Sequence, residues 1–251
     1  MNSHTLLWIS TIVMLAGGIV ILMIGKRRTP TEELHTVLHG IVPIIAACSY
    51  FAMATGQGML LLPVGVTPTG SVVGRIFYYA RYIDWAFTTP LLLITLSMTA
   101  MHAGRKRPGI IAGIVLSDVL MILTSFFFGL SETPILKWSW FIISCVAFLG
   151  VYYVIWISAM QANKVERDDV RSNYRGNALM LSVLWFIYPI VLILAPDGLG
   201  LIGDAAGVLC IGILDVLTKV VYGIMTVSSD TKTTDRDLAE VTHSATLRTA
   251  A

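Results

Sequence analysis

Residues 81–93 read RYIDWAFTTPLLL, placing an arginine and an aspartate three positions apart inside an otherwise apolar run. On a helix, Arg81, Asp84 and Thr88 share one face. Whether that face meets water or hydrocarbon decides the fold. Composition answers in favour of hydrocarbon: of 251 residues 56% are hydrophobic and only 13% charged, outside the profile of a water-soluble domain. Working outward from this stretch, apolar segments long enough to span recur at about 6–25, 31–56, 72–100, 108–129, 134–161, 171–194 and 202–227. Each is near or above the ~20 residues that cross a bilayer core. The expectation is an all-α membrane protein, a bundle of seven transmembrane helices. A β-barrel is disfavoured, because these runs do not alternate in blocks of about ten residues.

The basic residues orient the bundle. Lys26, Arg27 and Arg28 follow the first span, Arg105, Lys106 and Arg107 the third, and Lys164, Arg167, Arg171 and Arg175 separate the fifth from the sixth. The opposite loops contain Arg75 and Lys137. The positive-inside rule then puts the N-terminus outside and the C-terminus in the cytoplasm. MNSHTLLWIS, residues 1–10, has no basic n-region, and no small-residue cleavage site follows, so the first span is expected to stay attached. Residues 1–227 form one membrane domain; the tail 228–251, polar and without aromatics, is expected to be disordered or weakly helical. Cys48, Cys145 and Cys210 fall within spans and read as small buried residues; no Cys/His metal pattern and no phosphate loop is present.

The loops carry ordinary punctuation. In RRTPTEE, residues 27–33, Thr29 is a candidate N-cap, Pro30 the first helical residue and Glu32 the partner in a capping box. PVGVTPTGSVVG, residues 63–74, reads as an outer turn-rich loop, and Pro43, Pro90 and Pro189 lie inside spans.

Five charges remain once the loops are assigned: Arg81, Asp84, Asp118, Asp215 and Lys219. A central charge costs about 2.5–3.5 kcal/mol on insertion scales, so each needs a partner or a function. In LDVLTKV, residues 214–220, Asp215 and Lys219 stand four apart on one face. If this face and that of Arg81 and Asp84 both turn inward, two carboxylates meet an amine and a guanidinium. A structural salt-bridge cluster is one reading. Trp85, Trp140, Trp185 and Tyr188 at mid-span depth point elsewhere, to an apolar slot for a flat ligand around a lysine. A desolvated lysine is also a Schiff-base nucleophile toward an aldehyde.

With ARYIDWAFTTPLLL in the third span, LWFIYP in the sixth and LDVLTKV in the seventh, the chain resembles the microbial (type 1) rhodopsins, the family of bacteriorhodopsin, from its first span to its last. The resemblance implies all-trans retinal bound covalently to Lys219 as a protonated Schiff base. It makes Asp84 the primary counterion and proton acceptor, Asp215 the second counterion, and Arg81 the cation coupling that site to the outside. By motif it carries over a retinal pocket of Trp85, Thr89, Leu92, Met121, Ser125, Phe141, Ser144, Trp185, Tyr188, Pro189 and Thr218, with Trp140 in the fifth span and Tyr50 near Asp215. Leu192 stands where bacteriorhodopsin has a pocket tryptophan. Asp118 corresponds to a structural carboxyl that stays protonated.

Along the third span, Asp84, Thr88 and Thr95 replace the Asp-Thr-Asp series of bacteriorhodopsin. The resemblance therefore implies a light-driven outward proton pump, an ion transporter and not an enzyme, without a carboxylic cytoplasmic donor. Thr95 lies eleven residues beyond Asp84, about 16 Å along the helix, and its hydroxyl cannot supply a proton as a carboxylic acid does. His39, with His35 one turn nearer the cytoplasm, is the candidate proton relay; a histidine merely hydrogen-bonded within the bundle is the alternative. Asp197 aligns with one member of the proton-release pair and Gly207 with the other, so late or altered release is expected; Asp204 is a substitute. The expected partners are retinal, the lipid bilayer and protons, with assembly into a homo-oligomer in the cell membrane and no nucleic acid. The rival is a photosensory receptor with a transducer protein. The pairing of Tyr188 with Thr218 resembles one used in phototaxis receptors. A retinal-free transporter would leave Lys219 and the motifs to coincidence.

Overall fold

The computed structural model describes residues 2–66 and 72–250. Seven of its helices are long and apolar enough to cross a membrane, and we number them α1 to α7. They are Ser3–Ile24 (α1), Pro30–Ala54 (α2), Tyr79–Ala100 (α3), Pro108–Leu130 (α4), Pro134–Asn163 (α5) and Asp168–Leu194 (α6). In α7, Asp204–Asp215, a π-helical turn Val216–Val221 and Tyr222–Ala250 run on as one helix. A second π turn, Val154–Ala159, lies in α5.

Local chemistry accounts for the starts. The Asn2 side chain accepts from Thr5 N at 2.9 Å and caps α1. Thr29 caps α2 by accepting from Glu32 N at 3.2 Å, with Pro30 where no backbone donor is needed. The second half of the expected capping box differs. Glu32 Oε2 reaches past the cap to accept from Arg28 N at 2.9 Å, because the Arg28 guanidinium also draws the carboxylate. Pro108 and Pro134 open α4 and α5 in the same way as Pro30.

The bundle is inverted relative to a soluble protein. Met23, Phe87, Leu116 and Val146 are exposed, whereas Arg81, Asp84, Asp118, Asp215 and Lys219 are buried. An apolar outer surface of this extent is stable against lipid, not water. Inside, α1 approaches its neighbours closely. A Cβ on Gly18 would come within 2.9 Å of the Gly40 carbonyl oxygen, and one on Gly17 within 2.6 Å of both Val220 methyls. Glycine at these positions lets α2 and α7 pack against α1.

Two segments depart from expectation. Leu60–Val66 (β1) and Val72–Phe77 (β2) form an antiparallel hairpin, Leu60 opposite Phe77, with an irregularity between Pro63 and Gly65. The third apolar run, expected to be helical from 72, therefore spends residues 72–77 on a strand. Its Val-Val pair suits a strand as well as a membrane helix, and hydropathy alone does not separate the two. Arg75 on β2 turns into the protein. Its guanidinium donates to Asp197 Oδ1 and the Gly129 carbonyl oxygen, each at 2.5 Å, and to Glu132 at 3.1 Å. One side chain thus ties the hairpin to the α4–α5 and α6–α7 connections.

The second departure is the tail, expected to be disordered or weakly helical, which continues α7 to Ala250. Its acids find partners on three other parts of the chain: Asp230 with His35 at 2.6 Å, Asp237 with His102 and Arg167 at 2.8 Å each, and Asp235 with Arg28. Arg236 returns a contact to Asp169 at 3.1 Å. Composition could not show these pairings, because each joins residues far apart in sequence.

Candidate functional site

Helices α3 and α7 build the centre. The π turn Val216–Val221 contains Thr218 and Lys219, and such turns re-aim a side chain by inserting one residue into the helical repeat. Lys219 Nζ donates to Asp84 Oδ2 and lies 3.3 Å from Asp215 Oδ1. All three side chains are at most 2% exposed. At an effective dielectric of about 20, each contact recovers roughly 5 kcal/mol, above the insertion cost of about 2.5–3.5 kcal/mol for one charge. The cluster is tolerable as a whole and costly in parts.

The two carboxylates are not equivalent. Asp215 accepts from Tyr50 Oη at 2.6 Å, Tyr188 Oη at 2.8 Å and Trp85 Nε1 at 3.2 Å. Asp84 has Lys219 on one oxygen, and its Oδ1 has no partner among the described residues. Three donors fill the oxygens of Asp215, whereas Asp84 keeps an unfilled oxygen. Thr88, one turn along α3, donates to the Asp84 carbonyl at 2.8 Å and steadies that turn.

Around Lys219 lies a cavity lined by Trp85, Thr89, Leu92, Met121, Ser125, Phe141, Ser144, Trp185, Tyr188, Pro189 and Thr218. Leu192 lines it too, at a position expected in the pocket; Ile122, Cys145 and Phe148 line it as well, none of them assigned to it from sequence. A signal existed for two of these: Phe141, Ser144, Cys145 and Phe148 follow the spacing of one helical face. Tyr50 donates to Asp215, and Trp140, expected in the pocket, lies outside its lining and packs on Phe127 with ring centroids 5.0 Å apart. Trp140 precedes the lining face of α5 by one position, about 100° of rotation. The lining is mostly apolar, a buried amine is part of it, and two acids hold that amine's charge. This set fits a long conjugated aldehyde such as retinal, and not a hydrated or highly charged ligand.

Asp118 is buried against this cavity. Thr89 Oγ1 donates toward both the Trp85 carbonyl oxygen and Asp118 Oδ2, at 2.7 Å each, and so ties α3 to α4.

Toward the hairpin end, Arg81 lies over the Tyr78 ring at 5.2 Å, with Nε and Nη2 unpartnered among the described residues. Arg81, Tyr78, Asp197, Asp204 and Gly207 line a second, smaller cavity. Asp204 accepts from Tyr78 Oη at 3.0 Å and from Ser3. Asp197, expected on the release side, is buried against Arg75. Burial pushes its carboxyl above the usual carboxylate range, while Arg81 and Arg75 pull it back part of the way.

At the other end, Thr95 is buried and donates to the Leu92 carbonyl at 2.9 Å. His39 is 1% exposed, and neither of its ring nitrogens has a partner among the described residues. His35 pairs with Asp230 of the helical tail.

Comparison with known proteins agrees with this geometry. The family model described as "Bacteriorhodopsin-like protein" matches residues 1–233. Archaerhodopsin-2 of Halobacterium sp. (strain aus-2) is 35% identical over 228 residues, covering 89% of this chain and 84% of the relative. The crystal structure of thermophilic rhodopsin from Rubrobacter xylanophilus superposes with a TM-score of 0.81 at 34% identity, covering 91% of this chain and 96% of that one. The light-driven proton pump LR (Mac) from Leptosphaeria maculans gives a TM-score of 0.83 at 32% identity, covering 92% and 96%.

Proposed function

The chain belongs to the bacteriorhodopsin-like family of membrane proteins, and from that premise we propose that it is a light-driven outward proton pump of the cell membrane, with its N-terminus outside. Retinal, bound through Lys219, supplies the light-driven isomerisation and carries a positive charge at Nζ. The chain's own residues do the rest. Asp84 takes the proton from Lys219 Nζ, Asp215 stays ionised in its cage of three donors, and Arg81 transmits the change of charge toward Asp197 and Asp204. Trp85, Trp185 and Tyr188 line the cavity, and Lys219 and Asp84 are both buried, so the proton leaves Nζ for a positioned acceptor and not for bulk solvent.

The observation that carries this reading is the asymmetry at Lys219: of two acids on one amine, Asp84 alone has an oxygen free to accept. A relative of similar fold is titled a light-driven proton pump, which supports the same assignment. On this reading Thr95 leaves the return path without a carboxylic donor, His39 relays the returning proton, and Asp197 belongs to the release side.

The test is external pH under illumination of cells supplied with all-trans retinal. Acidification abolished by a protonophore, and lost in Asp84→Asn, is expected. A coloured, light-responsive protein without acidification would instead support a photosensory receptor with a transducer partner. One contact favours that second reading: Tyr188 Oη lies 3.1 Å from Thr218 Oγ1.

A further inference from the structure

Resting on the pump reading, we propose that Asp230 and His35 form the proton-uptake pair of this protein, holding the proton that His39 passes inward to Lys219 Nζ. Three observations, none involving the counterions, point there. His35 Nδ1 lies 2.6 Å from Asp230 Oδ2 across two helices, with side chains 4% and 12% exposed. The pair therefore stands at the border between dry interior and aqueous end. His35 Nε2, away from the carboxylate, has no partner among the described residues. One turn deeper on α2 stands His39, its ring centroid 6.4 Å from that of His35 and 5.7 Å from that of Tyr222. Tyr222 follows Lys219 by three residues on α7.

Chemistry separates this arrangement from ordinary packing. A buried polar atom without a partner costs about 1–3 kcal/mol. His39 carries two such nitrogens and His35 one, at positions where an aliphatic side chain would pack without that cost. A ladder of imidazoles with open nitrogens is suited to pass a proton, since each ring can bind one on one side and release another from the opposite side. Thr95 cannot replace it, because its hydroxyl proton is engaged by the Leu92 carbonyl. Nor is Asp230 claimed by the nearby cation Arg28, which is taken by Glu32 and Asp235.

The balance is simple. In the loaded pair His35 is an imidazolium beside the Asp230 carboxylate; its Nε2–H bond breaks, leaving a neutral ring that still donates Nδ1–H to Asp230, while His39 takes the proton on one ring nitrogen and gives one up from the other, and an N–H bond forms at Lys219 Nζ. The pair, one proton poorer, is refilled from the aqueous phase. Measured from Lys219, Asp230 lies eleven residues along α7, roughly 16 Å, so delivery needs the intermediate ring.

The experiment uses the full chain with retinal and times the return of the proton to Lys219 Nζ by visible absorbance after a flash. Asp230→Asn and His35→Gln are each expected to slow that return at least about tenfold. The double variant should be no slower than either, and azide, a small diffusible weak acid, should restore the rate. Asp235→Asn, which removes another contact of the same helix extension, should leave the rate unchanged. In the retinal-free protein, 15N NMR of the His35 ring should show an Nδ1 site that changes in Asp230→Asn. Return at the wild-type rate in both single variants, or slowing that azide does not relieve and Asp235→Asn reproduces, would overturn the proposal and make the pair a clamp. External acidification by the unaltered protein separates the two readings. Slowed return without any acidification sinks the pump and leaves the pair standing, whereas acidification with unaltered return sinks the pair alone.

Discussion

Tyr50 Oη donates to Asp215 Oδ2 at 2.6 Å, joining two helices through residues 165 positions apart. Together with Tyr188 and Trp85 this bond separates two acids that look alike in sequence, one saturated and one open. Tyr50→Phe leaves an oxygen of a buried carboxylate short of a donor, at a cost of about 1–3 kcal/mol. The thermal midpoint of the retinal-loaded protein should fall by several degrees, at about 2–4 °C per kcal/mol for a chain of this size. A midpoint unchanged within one degree would show that Asp215 is held by the other donors alone.

Lys219→Ala should leave the purified protein colourless with all-trans retinal. It also strands two buried acids, a change that destabilises by about 3–5 kcal/mol for a broken buried pair. Lys219→Ala combined with Asp84→Asn should recover part of that loss, read from the midpoint of the retinal-free protein. A visible band in Lys219→Ala would refute the assignment of the linkage.

His39→Gln keeps side-chain volume near that of imidazole and removes both ring nitrogens, the atoms able to take up and pass on a proton. The return of the proton to Lys219 Nζ should slow by about tenfold or more, while the initial proton loss to Asp84 keeps its rate. Flash absorbance at several pH values checks both phases; an unaltered return rate at all of them removes His39 from the path.

Asp197 gives a pH prediction with a definite sign. Burial raises its carboxyl in the folded protein above the ordinary range, so the folded state holds this proton more tightly than the unfolded chain. The resulting stabilisation is complete below the unfolded value, about 3.9. It is lost as pH rises through the folded value. Asp197→Asn cannot titrate, and its midpoint should gain on that of the wild type as pH rises across this window. Midpoints of the two proteins that run parallel with pH would contradict the assignment.

Much of the architecture was legible along the chain. Hydropathy reports which solvent a segment prefers, and seven runs of about twenty apolar residues leave few alternatives to seven membrane helices. Thr29 and Pro30 announce the start of α2, because caps depend on neighbours three residues away. The same local reasoning put Arg81 with Asp84, and Asp215 with Lys219, on common helical faces. It erred where two states share a composition, since Val72 and Val73 satisfy a strand as well as a span, and it left the polar tail between disordered and weakly helical because the tail's partners lie far away in sequence.

What lay beyond the chain's local pattern depends on contacts between distant segments. That Asp215 is caged and Asp84 open, that Arg75 draws Asp197 inward, that Trp140 turns away from the cavity while Cys145 faces it, and that Asp230 meets His35 are all set by packing of helices against one another. Hydropathy and helical period act within a few turns and choose solvent and face. The protonation chemistry of a buried acid is chosen by the few donors within about 3 Å, and those come from other helices.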